Sequence, residues 1–504
     1  MIKISSRQVV EDVFGRPNAA RGRLSIEAFL RKGIKKPEQV KEVLFSGDNA
    51  SYRIDLSLYE AVNKPRDING RIMFKAKKET TEFVVNEKGE IIGREYDVAG
   101  DPVSVNGKAY FEAGLGQKIF LMKEGGRRIG GRYDAVGIPR PIGSGVAFKV
   151  KQGSKELIIN EKGERVSEEY DFVGDPREIE GHIVFRAGLK GRQYICIEKG
   201  ERISAAYDSV GDPQPIAGRI VFQAALAGRQ FIMTDKGERI GGDYEFVSVP
   251  RDIGGRIAFW AREGIKYFIV NERGEKVGGE YDFVGDPRDI GGEIVFRAKA
   301  KMKWFVITEK GEQIGETYDT IRDPVSIGGR IAFWAFQGSQ YVAVKDAKDS
   351  LAGEYIAARQ ALPSQEKIDF WTFQVGQYSI INDKGKSVGG RFDSVGDPQD
   401  IGGRLAFKAI RGDREFVVNE KGEKVAGEYD YVSIPRDIHG RIAFWAREGS
   451  GFFIVNEKGT RHRGLYDDIY YLNPLSGGRA YVIARKENHY VKEIVEASFL
   501  KGQG

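Results

Sequence analysis

Eleven carboxylates recur at a fixed step of 37 residues along this 504-residue chain: Glu60, Asp97, Asp134, Asp171, Asp208, Glu245, Asp282, Asp319, Asp393, Asp430 and Asp467, with Ile356 in the remaining slot. Such a set could line a cation-binding or cation-conducting hole. The more economical reading makes each acid an acceptor for backbone N–H groups of its own repeat, because converging carboxylates repel one another and Asp is a common turn acceptor. A second series, Asp101, Asp175, Asp212, Asp286, Asp323 and Asp397, stands directly before proline in polar turns. These glycine-containing segments lack the G-x-x-x-x-G-K-[ST] order and the following helix of a phosphate cradle, so they define no nucleotide site.

Other catalytic chemistry has little support. His182, His439, His462 and His489 are too scattered for a local metal-ligand spacing. Cys196 sits inside an apolar run, "YICIEKG", where a thiol is ordinarily a small buried hydrophobe rather than a nucleophile. No enzyme, cofactor or metal site is therefore expected. The alternative from another class is a propeller enzyme, or a small-ligand or glycan-binding protein, with its chemistry assembled at the blade tips.

Tryptophan is more selective. Counting from an aromatic grid residue set out below, Trp260, Trp334, Trp371 and Trp445 fall at position +16, while Trp304 lies in the second apolar run of an intervening repeat. Elsewhere position +16 is Lys75, Glu112, Lys149, Arg186, Gln223, Arg297, Lys408 or Val482. A position that often accepts charge is expected to be partly exposed or reached by a snorkelling stem. The Trp residues would then form an aromatic interaction sector; packing of Trp against small neighbours such as Ala258 is the competing reading. The ninth repeat has left the consensus around 362–367. The sector of Trp334 and Trp371, with Gln365, Glu366 and Lys367 at its rim, is the expected partner site.

The elements that carry these residues follow from the grid. Tyr59, Tyr96, Tyr133, Tyr170, Tyr207, Tyr244, Tyr281, Tyr318, Tyr355, Phe392, Tyr429 and Tyr466 mark twelve repeats without an insertion. A period of this size indicates a repeat architecture. Within one repeat, "RIAFWARE" and "KYFIV" are short runs apolar on both sides, "NERG" is a turn, and "YDFVGD" is a strand expected to end at Pro287. The spacing predicts four short strands per repeat and no helix. Burial on both faces suits sheets stacked face to face, as propeller blades are.

The ends complement one another. If a first strand begins at each grid aromatic, the last repeat has strands at 466–471, 479–484 and 489–495 and then nearly runs out of chain, whereas "SYRIDLS" at 51–57 is a spare strand before the first. Joining them predicts one closed β-propeller of twelve blades over 51–504, with two six-bladed propellers as the alternative. Residues 1–50 read as three short helices packed on the ring, one of them beginning at Pro37.

The pattern "YDFVGDPRDIGG" followed by an aromatic strand and a "NExGE" turn resembles the WD40-like and WG-type propeller repeats of bacterial proteins. It departs from WD40 in lacking the Gly-His and terminal Trp-Asp pairs. The resemblance implies a non-enzymatic protein-interaction scaffold and transfers no catalytic residue. Net charge is +6, of which residues 1–50 supply ten Lys or Arg against six Asp or Glu, so the repeats are nearly neutral and no nucleic-acid partner is expected. A helix-turn-helix reading of "FLRKGIKKPEQVKEV" rests on features common to any short helical hairpin. No run approaches a membrane-spanning length, and no signal peptide is evident. A cytoplasmic location, a protein partner and no membrane partner are expected.

Overall fold

The computed structural model describes residues 51–502 except 328–329, 339, 346–348, 356, 361–369, 375–376 and 382–386; it gives backbone alone for most of 340–376 and for 22–23 and 42–45. Nearly all of it is β. Each repeat builds an antiparallel sheet with its strands paired in chain order, here called a blade and numbered along the grid. In blade 6 the first strand comes in two pieces, Phe246–Val247 and Arg251–Ile253, followed by Arg256–Glu263, Lys266–Val270 and Lys276–Tyr281. The turns are written into the sequence. Gly254 and Gly255, with φ of 57° and 83°, make the tight first turn. Asn271 Oδ1 accepts the N–H groups of Arg273 and Glu275 at 3.0 and 2.9 Å and so fixes the third.

Pro287 does not end its strand. In blade 7, Val284 pairs with Ala298 and Arg288 with Val295, so one extra residue is absorbed across Gly285-Asp286-Pro287 as a bulge. The first strand has a neighbour on one side only, and at such an edge the missing proline N–H leaves no ladder bond unmade.

The grid aromatic is displaced from its expected place as well. Tyr244 pairs with Gln230 as the last residue of the fourth strand of blade 5. Its ring meanwhile packs against Phe259 and Phe268 of blade 6, with centroids 6.4 and 5.5 Å away. The repeat boundary therefore runs through a residue whose backbone belongs to one sheet and whose ring belongs to the next.

The form of the fourth strand follows the residue at position +34 in most blades, although with Ala352 there the strand Asp349–Tyr355 is also continuous. Where position +34 is Gly, as at Gly93, Gly130, Gly241, Gly278 and Gly315, φ lies between 64° and 80° and a continuous strand forms. Where it is Ser167, Ser204, Ala426 or Arg463, the strand is reduced to two isolated bridges in each blade. At the two serines the hydroxyl takes over an acceptor role, receiving the N–H of Ile158 and of Ile195 at 2.9 Å. A Cβ at Gly278 would lie 2.6 Å from Phe296 Cζ. Gly278→Ala is thus expected to lower stability by about 1–3 kcal/mol. Gly292→Ala, at φ of 80° with open space around it, should cost only the backbone part, about 1 kcal/mol; urea denaturation of the two variants gives the comparison.

The contacts divide the chain into two units, residues 1–133 with 392–504, and residues 134–391. In the first, shared cores link blade 10 to 11, 11 to 12, 12 to 1, and 1 to 2. In the second they link blades 3 to 8 in order. One such core joins Ile253, Ala258 and Ile269 of blade 6 to Val284, Ile294, Phe296 and Phe305 of blade 7. Each buried large apolar side chain contributes about 1.5–3 kcal/mol, which is why the strands are apolar on both faces.

Within the first unit the chain ends meet. Blade 12 consists of Asp468–Leu475, Arg479–Lys486, His489–Val495 and, supplied from the other end, Ser51–Asp55; Tyr52 pairs with Lys492 and Ile54 with Tyr490. A polar knot lies at this junction. Lys492, 3 % exposed, donates to the Gly70 carbonyl and faces the Tyr52 and Tyr481 rings, while Asp67 accepts from Tyr481 and Asn473. Burial pushes the Lys492 ammonium below its usual pKa.

Residues 42–45, expected within a helix starting at Pro37, are instead a strand, Glu42–Phe45, paired with 51–55; Gly22–Arg23 pairs with it in turn. An open strand edge offers backbone partners that a two-turn helix cannot use, and Val-Leu-Phe readily extends. The rest of 1–50, including the other expected helices, lies outside the described residues.

Candidate interaction site

The repeated acids act locally. The Oδ2 atoms of Asp97, Asp134, Asp208, Asp319 and Asp430 accept the N–H of Gly116, Gly153, Ala227, Gly338 and Gly449, the turn between the second and third strands of the same blade, at 2.6 to 2.8 Å. The other oxygen often reaches a cation on the preceding blade, as in Lys266–Asp282 at 2.8 Å and Lys303–Asp319 at 2.6 Å. These lysines hold the Asp282 and Asp319 carboxyls below the usual range. The pre-proline acids also join blades: Arg251 reaches Asp286 at 2.6 Å and Arg288 reaches Asp323 at 3.3 Å. Among the described residues no group of three His, Cys, Asp or Glu is placed to hold a metal ion.

The isolated candidates are equally local. Cys196 is fully buried, with its thiol pushed up in pKa by burial and 3.7 Å from the Tyr170 hydroxyl. His182 pairs with Glu198 at 2.7 Å, which raises its pKa. A raised folded-state value means that the histidine's side of this pair is fully present below about pH 6.5, while Glu198 stays ionised, and is lost as pH rises through the shifted value. An NMR titration of His182 should accordingly show its midpoint falling in Glu198→Gln; an unmoved midpoint would refute the pairing.

Trp260, Trp304 and Trp445 pack in cores shared by neighbouring blades. Trp334 is 5 % and Trp445 9 % exposed, whereas Trp260 and Trp304 are half-buried. Trp371 pairs with Ile380 in its strand, and Gln365, Glu366 and Lys367 lie outside the described residues. Position +16 therefore tolerates charge for a reason other than exposure. Its partner is position +23 on the same face: Lys75–Glu82 at 2.7 Å, Lys149–Glu156 at 2.9 Å and Lys408–Glu415 at 2.6 Å. The two positions change together. Gln223 bonds Gln230 at 2.8 Å, Arg297 lies over Trp304 at 5.1 Å, and each +16 Trp has Tyr267, Tyr341, Tyr378 or Phe452 at +23. This covariation was present in the sequence, visible on comparing the repeats two positions at a time.

In blades 6 and 7 the exchange produces a row of five rings. Phe246 stacks on Trp260 at 5.5 Å with 14° between planes; Trp260 meets Tyr267 at 5.7 Å, Tyr267 meets Phe283 at 5.4 Å, and Phe283 meets Trp304 at 5.4 Å. The Trp260 indole N–H donates to Asp286 at 3.0 Å. Phe246 and Phe283 remain 42 % and 37 % exposed. Position +2, where both stand, was not singled out in the sequence because it is Ala or Ser in several repeats.

The all-β, bladed architecture fits a β-propeller. No family model matches the chain, and no curated protein does. Among solved structures, a eukaryotic initiation factor is 9 % identical with a TM-score of 0.33, covering 80 % of this chain and 97 % of its own. The β-propeller domain of the Trilobed protease from Pyrococcus furiosus is 13 % identical with a TM-score of 0.23, covering 58 % and 96 %. PorZ, a surface component of the type-IX secretion system of Porphyromonas gingivalis, is 10 % identical with a TM-score of 0.20, covering 87 % and 80 %. Among the described residues no helix is long and apolar enough to cross a membrane.

Proposed function

We propose that this chain is a non-enzymatic protein-interaction scaffold of the WD40-like kind, built on one closed propeller of twelve blades. The observation that carries the functional reading is the use made of polar side chains. The repeated carboxylates are spent on turns and on ion pairs between blades, while the positions that break the repeat symmetry are aromatic or apolar and in part exposed. Aromatic and Arg-bearing surfaces concentrate binding energy in protein interfaces. Hydrolase and sugar-array screens should return no turnover and no glycan; reproducible activity abolished by a single polar substitution would overturn the scaffold. Closure is supported by the pairing of 51–55 with 489–495. Projection images should display single rings of twelve, and two smaller rings would refute them.

A further inference from the structure

The turn between the second and third strands is polar or glycine at its second residue in ten repeats: Thr80, Gln117, Ser154, Gly191, Gly228, Ser339, Gly376, Asp413, Ser450 and Glu487. Blades 6 and 7 alone carry Ile265 and Met302 there, and these side chains are 84 % and 77 % exposed. Such tips contribute nothing to a core, so packing does not account for them. They are also neighbours. Asp282 accepts from Lys266, the residue after Ile265, at 2.8 Å and from the Lys301 N–H, the residue before Met302, at 3.1 Å. Phe283, the next residue, is an exposed member of the aromatic row. Two independent departures from the repeat, apolar tips and exposed rings, thus coincide on the same pair of blades.

The charges beside them are unequal. Lys266 and Lys303 are matched by Asp282 and Asp319, and Arg262 faces Glu245 at 3.6 Å. Lys299, over Trp304 at 5.7 Å, draws on the same Asp282 that Lys266 already pairs, and Lys301 makes no salt bridge among the described residues, so the cations here outnumber their carboxylates. An occupant that complements this surface carries apolar groups next to negative charge.

We propose that Ile265, Met302, Phe246 and Phe283, with Lys299 and Lys301, form a docking surface for a protein segment presenting large apolar side chains beside carboxylates. This rests on the scaffold reading and gives its partner a chemistry. The test uses the full chain to select from a phage-displayed library of random peptides, with the enriched peptides measured by fluorescence anisotropy. Expected are sequences combining Leu, Ile or Phe with Asp or Glu, weakened about tenfold or more by the I265S/M302S pair and by K299E/K301E. Both variants alter surface groups, and an unchanged melting transition verifies their fold. No enrichment, or peptides indifferent to both variants, overturns the surface while leaving a scaffold that binds elsewhere. Loss in I265S/M302S of binding to phosphatidylserine vesicles, or of self-association, overturns it in favour of a lipid surface or a second copy. Failure of the scaffold reading itself would appear separately, as turnover in the screens above.

Discussion

Trp445→Ala is expected to lower the stability of the chain by about 3–5 kcal/mol, the cost of an emptied aromatic site. The indole is 9 % exposed and packs in one core with Ala443 and Ile454 of its own blade and Ile469, Leu472 and Val482 of blade 12. The same substitution at Trp260, which keeps part of its surface and bonds Asp286, should cost less and should also loosen the aromatic row. Denaturation midpoints separate the two behaviours. A Trp445→Ala chain as stable as the parent would mean that the indole is an exposed anchor after all.

Removal of residues 1–57 is the second large perturbation. It strips the third strand of blade 12, His489–Val495, of its outer partner and leaves Tyr490 without the Tyr52 and Ile54 strand against which the core of blades 12 and 1 is assembled. The exposed backbone edge is a template for pairing with another chain. The truncated protein should aggregate or form dimers on gel filtration and melt earlier. A monomer of unaltered stability would show that the junction contributes little. Lys492 adds a sharper version: with its ammonium buried against the Gly70 carbonyl and near Asp67, Lys492→Met tests the polar knot without removing the strand.

Much of the architecture was legible because the period is exact to the residue and the turns announce themselves. Four strands per repeat, two-sided burial and the complementary ends follow from "GG", "NExG" and paired apolar runs. What failed to read correctly failed for local reasons. Pro287 looked like a stop, but an edge strand does not use the bond that proline lacks. Tyr244 looked like the start of a blade, since nothing in a linear pattern distinguishes a residue that finishes one sheet from one whose ring plugs the next. Residues 42–45 looked helical because the proline start and the mixed polar pattern before them suit a helix, whereas the segment folds back on 51–55 as a hairpin. The burial of Trp334 and Trp445 was hidden by treating position +16 alone. Charge at Lys75 implied exposure until Glu82 was seen beside it, and the same pocket holds an ion pair or an aromatic pair depending on both residues. Ile265 and Met302 were overlooked because a single apolar residue in a turn is unremarkable until ten counterparts are polar or glycine.

The ties between neighbouring blades recur at constant chain separations. Arg71–Glu124, Arg256–Glu309 and Arg404–Glu457 each span 53 residues, and Lys155–Asp171, Lys266–Asp282 and Lys303–Asp319 each span 16. Because these cross-ties keep a fixed offset, excising 37 residues between equivalent points leaves the donor and acceptor positions in register across the join. A deletion that is not a multiple of 37 shifts the ties that span the cut out of register. Such a chain has no smallest self-sufficient piece, since one repeat in isolation loses the cores and ties it shares with both neighbours, yet it can gain or lose members in its lineage without inventing a contact. Its grammar is inherited by the phrase, and the starting word of the phrase is arbitrary.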